Sequence, residues 1–145
     1  MRYIKKRQRF ESKTQNLIYY PLTKESFSYK WYRLSHRIEG LVLLNTYPYS
    51  KTTAKHIHKI RRQFQSTGTD YVAVHAPQGI PAYDIEPVLT YMKGEIERLK
   101  QKNNNKRARG LAKQAREWDI MWMQESVNKI SSIMIGREID NSLAS

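Results

Sequence analysis

The chain has 145 residues, and its 26 lysines and arginines against 13 aspartates and glutamates give a formal net charge of +13. It contains no cysteine, which excludes disulfide bonds, thiolate metal ligands and cysteine nucleophiles. The longest apolar run, Leu41–Leu44, is far shorter than the ~20 residues that span a bilayer. The basic N-terminus has no apolar stretch behind it. We therefore expect no secretory signal, no membrane partner and a cytoplasmic location.

The positive charge is unevenly distributed along the chain. Residues 1–60 hold 13 basic and 3 acidic side chains, and residues 93–117 hold 9 and 3. The intervening and final segments, 61–92 and 118–145, are slightly acidic. Self-repulsion opposes the folding of a chain with such an excess of one sign, so a negatively charged partner is expected. Nucleic acid is the commonest such partner, because each neutralised phosphate releases a condensed counterion.

The first half of the chain is predicted to form a basic arm followed by a small sheet. Residues 1–15 are dense in cations and poor in apolar residues, which predicts an arm ordered by an anionic partner, or alternatively an edge strand. Strand-forming residues fill 16–22, and alternation predicts one further strand over 27–36. After the turn signal at Glu39-Gly40, the apolar run 41–47 completes a β-hairpin with that strand.

Aromatic side chains are concentrated in the 27–36 segment. If it is one strand, Phe27, Tyr29 and Trp31 share a face. Exposed aromatics beside cations can stack on unpaired bases, and the mixture Tyr29, Trp31, Tyr32 and Arg33 suits that role. Packing into the core of the sheet is the alternative.

Helices dominate the second half of the chain. Ser50 or Thr52 can cap a helix that runs to about Thr67, with Gly68 as its stop. A strand over 69–76 follows. Asp84 can cap a helix over 85–102, which the asparagine run after residue 102 ends.

A last helix is predicted over 108–135, with Gly136 as its end and a polar tail behind it. The order of elements predicts an α+β fold, with a small antiparallel sheet packed on two to three helices. We divide the chain into the basic arm 1–15, an α+β core 16–102, a basic linker 103–110 and a C-terminal helix and tail 111–145.

The segment Tyr49-Ser50-Lys51-Thr52-Thr53-Ala54-Lys55-His56-Ile57 follows an apolar strand and opens a helix. It resembles a Tyr-Ser-x-Thr-Thr-x-Lys-His stretch of small bacteriophage proteins, and the likeness extends from Leu41 to Phe64. The resemblance implies a viral origin, and hence the cytoplasm of a host cell. It implies no catalytic residue. The hydroxyls of this segment suit a helix cap, and a helix start can also attract phosphate.

The helix after Ser50 is predicted to carry a basic face. At 100° per residue, four cations fall within about 80° of one another: Lys51, Lys55, Lys59 and Arg62. An apolar stripe lies opposite them: Ala54, Ile57, Ile60 and Phe64. Solvated faces usually mix charges of both signs, whereas residues 51–67 include no acid. This pattern predicts a polyanion-binding surface.

His56-Ile57-His58 allows a different interpretation. On a strand the two histidines would share a face and could hold a metal, as in rolling-circle nickases and relaxases. On a helix they lie about 160° apart and cannot share one ion. The helical spacing of the apolar residues favours the second interpretation, so we predict no metal and no cofactor. A catalytic His75 beside the loop 77–81 is a further alternative for an enzyme.

We predict a non-enzymatic protein that binds DNA or RNA through three basic regions. Their residues are Arg2, Lys5, Lys6, Arg7 and Arg9 in the arm, Lys51, Lys55, Lys59 and Arg62 on the helix, and Lys106, Arg107, Arg109 and Lys113 in and after the linker. Trp118 and Trp122, one helical turn apart, are candidate anchors for a protein partner.

Three alternatives remain open at this point. The first is an inhibitor that binds a host protein or ribonucleoprotein complex, such as a bacterial defence complex. The second is a structural component of a virion. The third is the metal-dependent nuclease that the histidine pair would imply.

Overall fold

The computed structural model describes the backbone of residues 2–4, 9–11 and 16–144, and the side chains of residues 16–136. It contains the strands β1 (Arg2–Ile4), β2 (Arg9–Glu11), β3 (Ile18–Tyr20), β4 (Glu25–Ser28), β5 (Tyr32–Ile38), β6 (Leu41–Asn45) and β7 (Val72–Val74). Its helices are α1 (Lys51–Ser66), α2 (Glu86–Asn103) and α3 (Gly110–Ala144). The fold is therefore α+β, as the sequence predicted.

The strands form one mixed sheet in chain order, β1-β2-β3-β4-β5-β6-β7. Every neighbouring pair is antiparallel except β6 and β7, which run parallel. The purely antiparallel sheet that we predicted is thus wrong at its last strand. A parallel neighbour needs a crossover connection, and α1 provides it between β6 and β7.

The prediction of a single strand over 27–36 is also wrong. The chain turns at Tyr29 and Lys30, whose φ values are +54° and +65°, and Trp31 N donates to Ser28 O across the turn at 3.3 Å. β4 and β5 therefore form a hairpin of their own, next to the predicted hairpin of β5 and β6. Two consecutive non-glycine residues with positive φ are uncommon and cost conformational free energy.

α1 closes the core of the sheet. Its apolar residues Ile57, Ile60 and Phe64 are buried in one cluster with side chains from the strands: Leu17, Tyr19, Tyr32, Leu34, Val42 and Leu44. All five residues of β6 are buried, as expected for a strand with neighbours on both edges and a helix above it. The helix begins and ends where the sequence predicted.

The chain divides into two compact units, residues up to Val88 and residues from Leu89 on. In the second unit Asn103, the last residue of α2, fixes the start of α3. Its side chain donates to Lys113 O at 3.1 Å and accepts from Arg116 Nε at 2.6 Å. α3 does not end at Gly136, since it continues to Ala144. One glycine inside a helix costs only about 1 kcal/mol, which neighbouring turns can offset.

None of α1, α2 and α3 combines the length and apolar character needed to cross a bilayer, over the residues that the structure describes.

Gly79 supports the loop after β7 against β5. Its φ is +86°, and a Cβ built on it would lie 3.2 Å from Arg33 N. We expect Gly79→Ala to lower the free energy of unfolding by about 2–3 kcal/mol, the sum of backbone strain and a forced contact. Gly68 has φ +63° and open space around it. Gly68→Ala should therefore cost only the strain, about 1 kcal/mol. Urea denaturation measures both values, and equal losses would contradict the role of the contact.

Candidate functional site

The start of α1 is fixed by Ser50, the residue that precedes its first turn. Ser50 has an extended backbone, and its Oγ accepts from Thr53 N at 3.0 Å. The cap satisfies one of the amides that the first helical turn leaves without a partner. It also fixes where the chain enters the helix after Tyr49.

A chain of side-chain hydrogen bonds connects this helix start to the β4–β5 turn. Tyr29 Oη and Ser50 Oγ are 2.8 Å apart, and Ser50 Oγ donates to Thr53 Oγ1 at 3.1 Å. Thr53 Oγ1 lies 3.1 Å from Ser28 Oγ, which lies 2.6 Å from His56 Nδ1. Hydrogen bonds from Ser50 and Thr52 lower the pKa of Tyr29 below its ordinary value. The turn and the first two turns of α1 therefore form one connected polar network.

His56 is the inner end of this network. Its side chain is fully buried, and its Nε2 has no hydrogen-bond partner. Burial lowers the pKa of His56, and the nearby charge of Lys59 lowers it further, so the ring stays neutral at pH 7. His58 is exposed, so the two histidines do not converge on one ion. The predicted apolar stripe was wrong at Ala54, which is exposed, since Thr53 and His56 occupy the buried side instead.

The outer side of α1 carries the predicted cations, here called the α1 basic face: Lys51, Lys55, Lys59 and Arg62. Lys51, Lys55 and Arg62 are exposed, and Lys59 is half-buried. Over residues 16–136, none of the three exposed cations forms an ion pair with a carboxylate. A rise of about 1.5 Å per residue places successive members about 4.5–6 Å apart along the helix axis. Lys51, Lys55 and Arg62 thus form a row of exposed charges that no acidic side chain of residues 16–136 pairs with.

Four aromatic rings meet at the N-terminal end of that face, and we call them the aromatic cluster: Tyr29, Trp31, Tyr32 and Tyr49. The ring of Tyr49 stacks on that of Tyr32 with centroids 4.5 Å apart and planes 20° apart. Trp31 meets Tyr49 edge-on at 5.9 Å. Tyr32 is buried, whereas Trp31 is 60% exposed and Tyr49 45% exposed. The cluster thus has an inner ring and an accessible outer surface.

Arg33 does not join the aromatic cluster, although we predicted it as part of a stacking surface. Its guanidinium pairs with Glu25 at 3.1 Å, donates to Ile80 O at 2.9 Å and lies over the Phe27 ring at 5.0 Å from the centroid. The Arg33 side chain therefore stabilises the fold through contacts within the chain. Lys30, which precedes Trp31 in the β4–β5 turn, is an exposed cation.

The other predicted basic regions are only partly described. Lys106, Arg107 and Arg109 are exposed between α2 and α3, and Lys113 is half-buried on α3. Arg2 and Arg9 belong to the backbone of β1 and β2, which pair with one another beside β3. That arrangement corresponds to the edge-strand alternative for the arm. Lys5, Lys6 and Arg7 lie outside the described residues.

The two candidate anchors on α3 have different surroundings. Trp118 is 64% exposed, and exposed Leu111 and Met121 lie on the same helix. Trp122 is half-buried, and its Nε1 donates to Asp119 Oδ1 at 3.1 Å. Trp118 is therefore the more accessible ring of the pair.

Comparison of the chain with protein-family models, with curated proteins and with solved structures gave no match.

Sequence reasoning missed Lys30 and Tyr49 as members of the site. Tyr49 was assigned no role, and the available signal was an aromatic side chain directly before the cap Ser50, a position where apolar residues often pack at a helix start. Lys30 was taken as part of the single strand predicted over 27–36. Its position in a turn could not be recognised, because Tyr29 and Lys30 are not typical turn residues.

The burial of His56 predicts how stability depends on pH. The pKa of His56 is depressed in the folded protein, so the unfolded chain binds the additional proton. Its contribution to stability is complete above the unfolded pKa of about 6.5 and is lost as the pH falls below it. We expect the free energy of unfolding to fall as the pH is lowered from about 7.5 to about 5.5, because an ordinary histidine titrates in this range.

His56→Gln should remove that part of the pH dependence, and His58→Gln, at an exposed position, should retain it. Urea denaturation at both pH values measures the difference. An unchanged pH dependence in His56→Gln would contradict the assignment.

Proposed function

We propose that this protein binds nucleic acid without catalysing a reaction, and that the α1 basic face contacts phosphates. The observation that supports the proposal is the row of exposed Lys51, Lys55 and Arg62, which pair with no carboxylate of residues 16–136. On ordinary surface helices, exposed lysines are usually interspersed with acidic residues. α1 contains no aspartate or glutamate.

The electrostatics of the row set the expected salt dependence. Four cations that neutralise four phosphates of a single strand give a slope of about −3 for log K against log salt concentration. Phosphate contacts fix position and register and carry no direct information on base sequence. Binding through this face is therefore weakly sequence-specific and strongly dependent on salt.

The other basic regions extend this function in the proposal. Arg107 and Arg109 are exposed, and a guanidinium can bind a phosphate through two parallel hydrogen bonds. The arm residues add further cations. The resemblance of residues 41–64 to small bacteriophage proteins supports a role in the cytoplasm of an infected host cell.

Charge reversal on α1 tests the proposal. We expect Lys55→Glu with Arg62→Glu to lower affinity for a labelled oligonucleotide by at least about 100-fold, because two attractions become repulsions. Lys93→Glu with Lys129→Glu is the matched control, since both lysines are exposed and the net charge changes equally. Fluorescence anisotropy at several salt concentrations measures affinity and slope. Equal losses in both double variants, or a slope near zero, would contradict the α1 basic face as the binding surface.

Exposed Trp118 favours a second candidate, the inhibition of a host protein complex. Large exposed aromatic residues are typical anchors of protein interfaces. Capture of tagged protein from host lysate, with and without nuclease, separates the two functions. Nucleic-acid binding predicts that the captured material is lost after nuclease treatment. A partner that is retained after nuclease and lost in Trp118→Ala would favour the second function.

A further inference from the structure

The outer surface of the aromatic cluster is accessible and held in a fixed position. The buried ring of Tyr32 packs against Tyr49 and is held in place by two hydrogen bonds. Its hydroxyl donates to Ala76 O at 2.9 Å and accepts from Asn45 Nδ2 at 3.1 Å. Tyr49 N donates to Tyr47 O at 2.9 Å. The ring of Tyr49 therefore lies flat on a buried support while nearly half of its surface stays accessible.

Trp31 is held beside Tyr49 by an unfavourable turn. Tyr29 and Lys30 adopt positive φ, and glycine or asparagine would be favoured at such positions. Strained backbone of this kind concentrates where its geometry serves function. Directly after this turn the Trp31 ring lies edge-on to Tyr49 and is mostly exposed.

Two exposed lysines are neighbours of these rings in sequence, and the nearby acid Glu25 is already paired. Lys30 is exposed next to Trp31, and Lys51 is exposed two residues after Tyr49. Glu25 is paired with Arg33, and residues 41–69 contain no aspartate or glutamate. An apolar partner alone gains nothing from these charges, whereas a partner with ring faces and negative charge complements both features.

We propose that Trp31 and Tyr49 form a stacking platform for unpaired bases, so that the ligand of the α1 basic face is a single-stranded nucleic acid. This inference rests on the proposed function. In a duplex the faces of the bases are covered by their neighbours, and only unpaired bases offer a face to a protein ring. Stacking on an aromatic ring tolerates any base, in agreement with the weak sequence specificity expected of phosphate contacts.

The geometry also gives the path of the strand. Bases stack at Trp31 and Tyr49, and the phosphates continue past Lys51 and Lys55 toward Arg62. From Lys51 to Arg62 the face is about 16 Å long. The ligand site therefore begins at the rings and extends along the outer side of α1.

Binding of three probes tests the proposal: a homopyrimidine single strand, a duplex of equal length, and heparin. The strand has about 16 nucleotides, the upper end of the site size of a small single-strand-binding domain. DNA and RNA strands are both used, since either supplies unpaired bases. We expect Trp31→Ala and Tyr49→Ala each to lower single-strand affinity between about fivefold and 150-fold. Affinity for heparin, which has no bases, should stay unchanged, and Trp31→Phe should retain most single-strand binding. Trp118→Ala, which removes an exposed ring elsewhere, is the matched control.

Fluorescence gives a second measurement that does not depend on affinity. With Trp118→Phe and Trp122→Phe in place, Trp31 is the only tryptophan of the chain. We expect the homopyrimidine strand to quench its emission and heparin to leave the emission unchanged.

The failures of the two proposals are distinguishable. Absence of binding to all three probes would overturn the proposed function together with this inference. Equal binding of duplex and single strand, lost in Lys55→Glu with Arg62→Glu and unchanged in Trp31→Ala, would overturn the stacking platform alone.

Discussion

The candidate site depends on the hydroxyl of Ser50. It caps α1 through Thr53 N, contacts the Tyr29 hydroxyl and donates to Thr53 Oγ1. The network continues through Ser28 to the buried ring of His56. In this way one side chain fixes both the helix that carries the cations and the turn that carries Trp31. These bonds join the β4–β5 turn to the start of α1, two segments that are separate in sequence.

The exposed positive charge of the first unit is left unneutralised in part because its few acidic residues include Glu25, which pairs within the fold. Glu25, one of the few acids before Asp70, pairs with Arg33 and holds it against the fold. The exposed cations Lys51, Lys55 and Arg62 of α1 have no such partner among residues 16–136. Neighbouring lysines repel one another in the free protein, and this repulsion is relieved when a polyanion binds. The same arrangement that opposes folding therefore favours binding.

Local signals in the sequence predicted much of the fold. Ser50 as one of two candidate caps, Gly68 as a stop and the helical spacing between them predicted α1, and Glu39-Gly40 predicted the β5–β6 hairpin. The single strand over 27–36 failed because alternation continues through both arms of a tight hairpin, and Tyr29 and Lys30 give no turn signal. The parallel pairing of β7 with β6 is a contact between distant segments, which local patterns do not encode.

The site was predicted in part for the same reason. The α1 basic face follows from spacing along one helix, so Lys51, Lys55 and Arg62 were found at the surface as expected. The stack of Tyr49 on Tyr32 joins residues from different elements and depends on the tertiary fold. Periodicity also misassigned Ala54, because Thr53 Oγ1 and His56 Nδ1 form hydrogen bonds within the network and these two residues are buried in its place.

The central claim is that one surface, made of the β4–β5 turn and the outer side of α1, binds the nucleic acid. A titration of ¹⁵N-labelled protein with a single strand, followed by amide chemical shifts, tests it most directly. We predict that the shifted signals come from residues 29–31 and 49–62, together with the Trp31 indole. Shifts confined to residues 103–118, or shifts absent from α1 at saturation, would contradict the account.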